Sequence, residues 1–211
     1  MKTGYFITFE GIEGSGKSTQ IQLAAKVLTE AGHTVLLTRE PGGTEISEAI
    51  RAILIDPKNT AMEARTELLL YAASRRQHLQ EKILPALKRG EIVLCDRFSD
   101  STRAYQGAAR KLPPNVIEDT ISITTEGFEP ELTLLFDCSV SSGLKRAQNR
   151  NQSTSHEDRF ENEAQQFHER VRLGYLSLAK KASQRFRILN ADQTIEQLHN
   201  DVMKVLCGII S

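Results

Sequence analysis

Residues 5–18 read Tyr5-Phe6-Ile7-Thr8-Phe9-Glu10-Gly11-Ile12-Glu13-Gly14-Ser15-Gly16-Lys17-Ser18. An apolar run gives way to a glycine-rich turn and then to a lysine–serine pair. Ile21, Ala24, Ala25 and Leu28 follow at helical spacing, and Gly32 ends the pattern. Residues 11–18 satisfy GxxxxGK[ST] in full, after a strand and before a helix as the mechanism of that motif requires. Glycines let the backbone wrap closely so that its N–H groups converge on an anion, and the start of the helix adds a positive dipole end. Gly11, Ile12, Glu13, Gly14, Ser15, Gly16, Lys17, Ser18 and Thr19 are therefore expected to cradle the phosphates of ATP. Lys17 supplies a point charge to the β- and γ-phosphates, and Ser18 offers its hydroxyl to Mg²⁺.

Outward from this loop the pattern repeats. Apolar runs at 34–37, 92–95, 132–136 and 186–189 read as four more strands, separated by helical stretches. Ile46, Ala49, Ile50, Ile53 and Leu54 share one helical face. A long helical stretch covers 61–90, with a kink expected at Pro85. Ile195, Leu198, Val202 and Val205 form the stripe of the last helix. Alternating strands and helices imply an α/β P-loop fold: a mostly parallel sheet of about five strands, joined by right-handed crossovers and covered on both faces. Ligands then sit beyond the carboxyl ends of the strands. Asp96 ends the third strand, where a carboxylate organises magnesium or, in the plainer reading, caps the next helix.

The chain has 211 residues, fitting one domain over 1–211 with a small lid. Its 27 basic and 27 acidic side chains cancel, so no global field favours nucleic acid, and anions must be held by local arginines. Cys95, Cys138 and Cys207 show no metal or disulfide spacing. With no signal peptide and no apolar run of transmembrane length, no membrane partner is expected and the compartment reads as cytoplasmic. His33, His78, His156, His168 and His199 show no triad or metal spacing and read as surface or packing residues.

A phosphate loop alone does not name an acceptor. Further segments do: Phe9-Glu10-Gly11, then Thr38-Arg39-Glu40-Pro41-Gly42-Gly43-Thr44, Tyr71-Ala72-Ala73-Ser74-Arg75, Asp96-Arg97-Phe98, Ala104-Tyr105-Gln106-Gly107 and Asp158-Arg159-Phe160-Glu161. In these the chain resembles thymidylate kinases over nearly its whole length. The form is the bacterial one with no arginine in the phosphate loop. The resemblance implies a nucleoside-monophosphate-kinase type of fold with a mobile lid at about 146–160. It also implies transfer from ATP to thymidine monophosphate with Mg²⁺, and a homodimer.

The resemblance assigns roles residue by residue. Arg39 and Arg75 hold the acceptor phosphate, and Arg97 sits between the two phosphoryl groups. The chemistry agrees, because a guanidinium holds phosphate oxygens bidentately. Tyr71 is either the aromatic that stacks on thymine or a packing residue beside Leu68, Leu69 and Leu70. Ser101, Tyr105 and Gln106 resemble base and sugar contacts, although Gln106 also suits a helix cap or a solvent-facing position. Glu13 is implied to accept the 3′-hydroxyl of the acceptor sugar. The nucleophile is the acceptor's own phosphate oxygen, so catalysis reduces to positioning and charge stabilisation by Lys17, Arg97 and a lid arginine. Arg150 and Arg159 lead for the lid position, and Arg146 alternatively packs against adenine. Two rivals remain at this level: a kinase for another nucleotide or deoxynucleoside, and a non-catalytic P-loop switch.

Overall fold

The structure, a computed structural model, describes residues 4–154 and 159–210, with the side chains of 150–154, 161 and 162 outside the description. Five strands, β1 (Tyr5–Glu10), β2 (Val35–Arg39), β3 (Ile92–Asp96), β4 (Leu132–Asp137) and β5 (Phe186–Asn190), form one parallel sheet in the order β2-β3-β1-β4-β5. The first strand is thus central. Chain connections leave it in opposite directions, which opens a crevice at its carboxyl end.

Period-two alternation explains the layers. On β1 and β3, Ile7, Phe9, Ile92 and Leu94 point to one core, whereas Phe6, Val93 and Cys95 point to the other. Both faces are apolar because both are covered by helices. Thr8 falls on the Phe6 face, and its hydroxyl pairs with Thr133 Oγ1 at 3.0 Å, a net gain of about 1 kcal/mol for two buried hydroxyls. The same parity puts Glu10 beside Phe98.

The helices are α1 (Lys17–Glu30), α2 (Glu45–Ile55), α3 (Ala64–His78), α4 (Leu84–Lys88), α5 (Ser99–Thr102), α6 (Pro114–Thr125), α7 (Val140–Thr154), α8 (Gln165–Lys181) and α9 (Ile195–Cys207). The kink expected at Pro85 is instead a π-helical turn over Leu79–Ile83, placed just before the proline. Leu84 N–H donates back to Leu79 O, a wider register that absorbs the missing donor of Pro85. A second π-helical stretch, Arg103–Ala109, continues α5.

The polar stretch after Arg146, where the lid is expected, is helical through Thr154. Lys145, Arg146, Ala147 and Gln148 are good helix formers, and they extend a helix already nucleated on the sheet. Its first turns pack on the phosphate loop. A Cβ on Gly14 (φ 68°) would strike the Gly143 carbonyl, and one on Gly143 would lie 2.7 Å from Glu13 O. Gly143→Ala should therefore destabilise the protein by about 1–3 kcal/mol through overpacking. The same change in an unobstructed helix would stabilise it by about 0.5–1 kcal/mol. Urea unfolding reads the sign directly, and an unchanged or raised midpoint would contradict this packing.

Candidate active site

All five strands deliver polar groups to one edge of the sheet. Each runs one or two residues further than its apolar run, so Glu10, Arg39, Asp96, Asp137 and Asn190 occupy the tips. A cavity of about 1000 Å³ lies there. One end is lined by Gly14, Ser15, Gly16, Lys17, Ser18, Thr19, Arg146, Ala191 and Thr194. Arg39, Arg51, Tyr71, Arg75, Ser101, Tyr105, Gln106 and Phe160 line the other, and Glu13, Asp96 and Arg97 also border it.

At the first end the loop folds as its sequence demands, with Gly16 at φ 92° just before α1. Lys17 is buried, and its ammonium donates to Gly11 O (3.0 Å), Ile12 O (2.7 Å) and Ser15 Oγ (3.2 Å). Burial and the neighbouring Arg97 charge push its pKa down to about 8. Ser18 Oγ donates to Asp96 Oδ2 at 2.7 Å. Two hard oxygen donors meet there beside the phosphate loop, which suits Mg²⁺, an ion that binds few protein oxygens and completes its octahedron with phosphate and water. Arg146 lies along this end, donating through Nη1 to Ala191 O at 2.8 Å.

Arg97 occupies the middle. It is a non-glycine residue at φ 72°, a conformation costing about 1–3 kcal/mol that only surrounding contacts sustain. Nη1 donates to Gly11 O (2.9 Å) and Nη2 to Glu13 Oε1 (3.0 Å), and the guanidinium lies 5.0 Å from the Tyr105 ring centre. The backbone is pinned from both sides, since Arg97 N donates to Phe9 O (3.0 Å) and Phe98 N to Glu10 Oε1 (2.7 Å). Burial, then Asp100, pushes the Glu10 pKa up to about 7. Its other oxygen accepts from Ser101 Oγ (2.6 Å) and Tyr175 OH (2.8 Å).

Glu13 does not project freely from the loop. Oε1 also accepts from Tyr105 OH (2.6 Å), and Oε2 lies 3.3 Å from His168 Nδ1. Burial favours the neutral acid, but Arg97, His168, Lys17 and Tyr105 together outweigh it and hold the carboxyl well below the usual carboxylate range.

At the far end Arg75 is almost fully buried. Its Nε donates to Glu40 Oε2 (2.7 Å) and its Nη2 to Phe98 O (3.1 Å). Glu40 is oriented in turn by His78 Nδ1 at 3.1 Å, while the opposite ring nitrogen meets Thr38 Oγ1 at 2.7 Å. Gly43 (φ 92°) passes so close to that ring that a Cβ would lie 2.5 Å from Nε2, which accounts for the glycine pair after Pro41. Arg39 is half exposed and pairs with Glu48 at 2.8 Å. Tyr71 lies 6.4 Å, ring centre to ring centre, from Phe160.

The structure thus brings Lys17, Ser18, Arg39, Tyr71, Arg75, Asp96, Arg97, Ser101, Tyr105, Gln106 and Arg146 around one cavity. Arg159 is placed elsewhere. It is buried, donates to Leu54 O (3.1 Å) and Glu67 Oε2 (2.6 Å), and stacks on Phe160. The Arg150 and Glu161 side chains, His156 and Asp158 lie outside the described residues. Sequence reading passed over Glu10, Glu67, Tyr175 and Arg51. A glutamate closing an otherwise uncharged, mostly apolar strand was a usable signal for Glu10. Arg51, off the apolar face of α2, lines the cavity and donates to Pro41 O at 2.9 Å. Among the described residues no helix is long and apolar enough to cross a membrane.

Comparison with known proteins agrees with this geometry. The family model described as thymidylate kinase matches residues 9–202. A thymidylate kinase of Geobacter sulfurreducens is 52% identical over 205 residues, 96% of each chain. One of Trichlorobacter lovleyi is 57% identical over 188 residues, covering 88% of this chain and 89% of the relative. The crystal structure of thymidylate kinase from Ehrlichia chaffeensis superposes with a TM-score of 0.77 at 35% identity, covering 97% of this chain and 98% of that one. With a phosphate loop, an arginine-lined acceptor end and this match over nearly its full length, the chain belongs to the thymidylate kinase family.

Proposed function

We propose that this enzyme moves the γ-phosphoryl group of ATP onto the phosphate of thymidine monophosphate, yielding thymidine diphosphate. One observation carries the reading. Lys17 of the donor end and Arg97 of the acceptor side both donate to the same carbonyl oxygen, that of Gly11, at 3.0 and 2.9 Å. Two cations converge beside the phosphate loop, and cations there neutralise the negative charge that spreads during an in-line transfer.

ATP lies along residues 11–19 in this reading, with adenine toward Arg146 and Ala191. Ser18 and Asp96 would hold Mg²⁺, which would supply positive charge against the phosphates. Arg39 and Arg75 grip the acceptor phosphate, with Arg51 as a further cation on the same wall. Tyr71 stacks on thymine; Ser101, Tyr105 and Gln106 contact base and sugar, and Glu13 takes the 3′-hydroxyl. The attacking phosphate oxygen is already ionised near neutral pH, so no residue need act as general base. The lid at 146–160, within a single domain spanning 1–211, supplies a further cation. Arg150 is its candidate, because Arg159 is engaged by Glu67. Exposed Leu69 on α3 and Ile123 on α6, two helices that pack together, support a homodimer. Three free thiols, two of them buried, fit a reducing cytoplasm.

Steady-state rates with thymidine, deoxyuridine and deoxyguanosine monophosphates test the acceptor. A single methyl in an apolar pocket should favour the thymidine over the deoxyuridine substrate by about 10–200-fold, and the purine should be excluded by size. Comparable kcat/KM with the purine would remove the thymidylate reading while sparing the kinase.

The depressed Lys17 pKa gives a second outcome. kcat/KM for ATP reports groups of the free enzyme, so it should fall as pH rises through about 8, where the ammonium loses its proton. Lys17→Ala should abolish transfer in a folded protein and Lys17→Arg should remove the alkaline limb. An unshifted limb in Lys17→Arg would assign it to another group.

A further inference from the structure

Glu67 lies in the first turn of α3, with no exposed surface, and is not among the residues lining the cavity described above. Four donated hydrogen bonds fill it. Oε1 accepts from Gln106 Nε2 (2.8 Å) and Arg110 Nε (3.3 Å); Oε2 accepts from Arg110 Nη2 (3.2 Å) and Arg159 Nη2 (2.6 Å). A carboxylate offers about four acceptor sites and no donor. Only the nitrogen of the Gln106 amide can therefore face it. A flipped amide would set two acceptor oxygens 2.8 Å apart with no proton between them.

We propose that Glu67 is a positioning residue for base choice: by holding the Gln106 amide nitrogen, it turns the amide oxygen toward the acceptor base. The inference rests on the reading above that thymine sits beside Gln106, a cavity-lining residue. Thymine carries a donor at N3, which an amide oxygen accepts. Cytosine has the same ring size but an unprotonated N3, so the same oxygen opposes its lone pair. A neutral flexible amide would adapt to either base. The locked one rejects cytosine, since a site built to satisfy one pattern leaves buried groups unpaired with the other. The two guanidiniums on Glu67 keep the lock single-handed, because both need the carboxylate as acceptor.

The test compares kcat/KM for thymidine and deoxycytidine monophosphates in the wild type, Glu67→Gln and Gln106→Leu. In Glu67→Gln the amide at 106 has a partner that accepts or donates. The thymidine-over-cytidine ratio should narrow by roughly tenfold or more, while KM for ATP stays within about twofold. A parallel loss with both acceptors would make Glu67 merely structural and overturn the proposal. If Gln106→Leu leaves the ratio unchanged, the base does not meet Gln106, and the placement of thymine falls together with the proposal. A ratio moved by Gln106→Leu but not by Glu67→Gln sinks the proposal alone. Should Glu67→Gln fail to fold, the wild type still decides. The side-chain amide protons of Gln106 should exchange slowly with solvent before substrate is added. Fast exchange in the free protein would show that the amide is not locked.

Discussion

The Gly11 carbonyl oxygen accepts from Lys17 and from Arg97 at once, and most of the site exists to make that meeting tolerable. Two buried cations this close repel each other and lose hydration. The depressed Lys17 pKa records both costs. They are offset by carboxylates at fixed places: Glu13 on Arg97, with Asp96 and Glu10 in the field around both. The strained φ of Arg97 belongs to the same arrangement, since it throws the side chain across the carboxyl end of β1 instead of along its own strand.

A second regularity follows. Five arginines on or near the acceptor side rest on glutamates: Arg75 on Glu40, Arg97 on Glu13, Arg39 on Glu48, and Arg110 with Arg159 on Glu67. Such pairs add little net stability, but losing one partner of a buried pair costs about 3–5 kcal/mol because a charge is left alone. Their value here is preorganisation. A guanidinium fixed on its inner side offers its remaining edge in one direction, so an anion arriving there would meet a set geometry with little ordering left to do.

Much of this was legible in the chain. The five strands, their order of appearance and the phosphate loop follow from apolar runs and one motif, because buried parallel strands need continuous hydrophobicity and the loop needs its glycines. Arg39, Arg97 and Asp96 stood out because they lie at or next to strand ends, and Arg75 because it lies on the facing helix α3 in a segment shared with the family. The π-helical turn before Pro85 was not legible, since a proline signals a defect without specifying how the backbone absorbs it. Glu10, Glu67 and Tyr175 were hidden for another reason. They touch other protein groups across 88 or more positions or between helices, and no local spacing reports such pairing. Arg159 shows the opposite failure, because its polar neighbourhood suggested a mobile charge where tertiary contacts bury it. His78 and His168 read as surface or packing residues, and both are fully buried, each beside a glutamate of the site.

The central claim is that one cavity holds donor and acceptor together, with their phosphates meeting at Lys17 and Arg97. Calorimetry with a single molecule that joins adenosine to thymidine through five phosphates tests it most directly. If both ends are engaged at once, the linked compound should bind at least about 100-fold more tightly than ATP, because the second contact becomes intramolecular, and most of that gain should vanish when adenosine replaces thymidine. Binding no tighter than that of ATP would contradict the account, placing the two sites too far apart or in the wrong alignment for direct transfer.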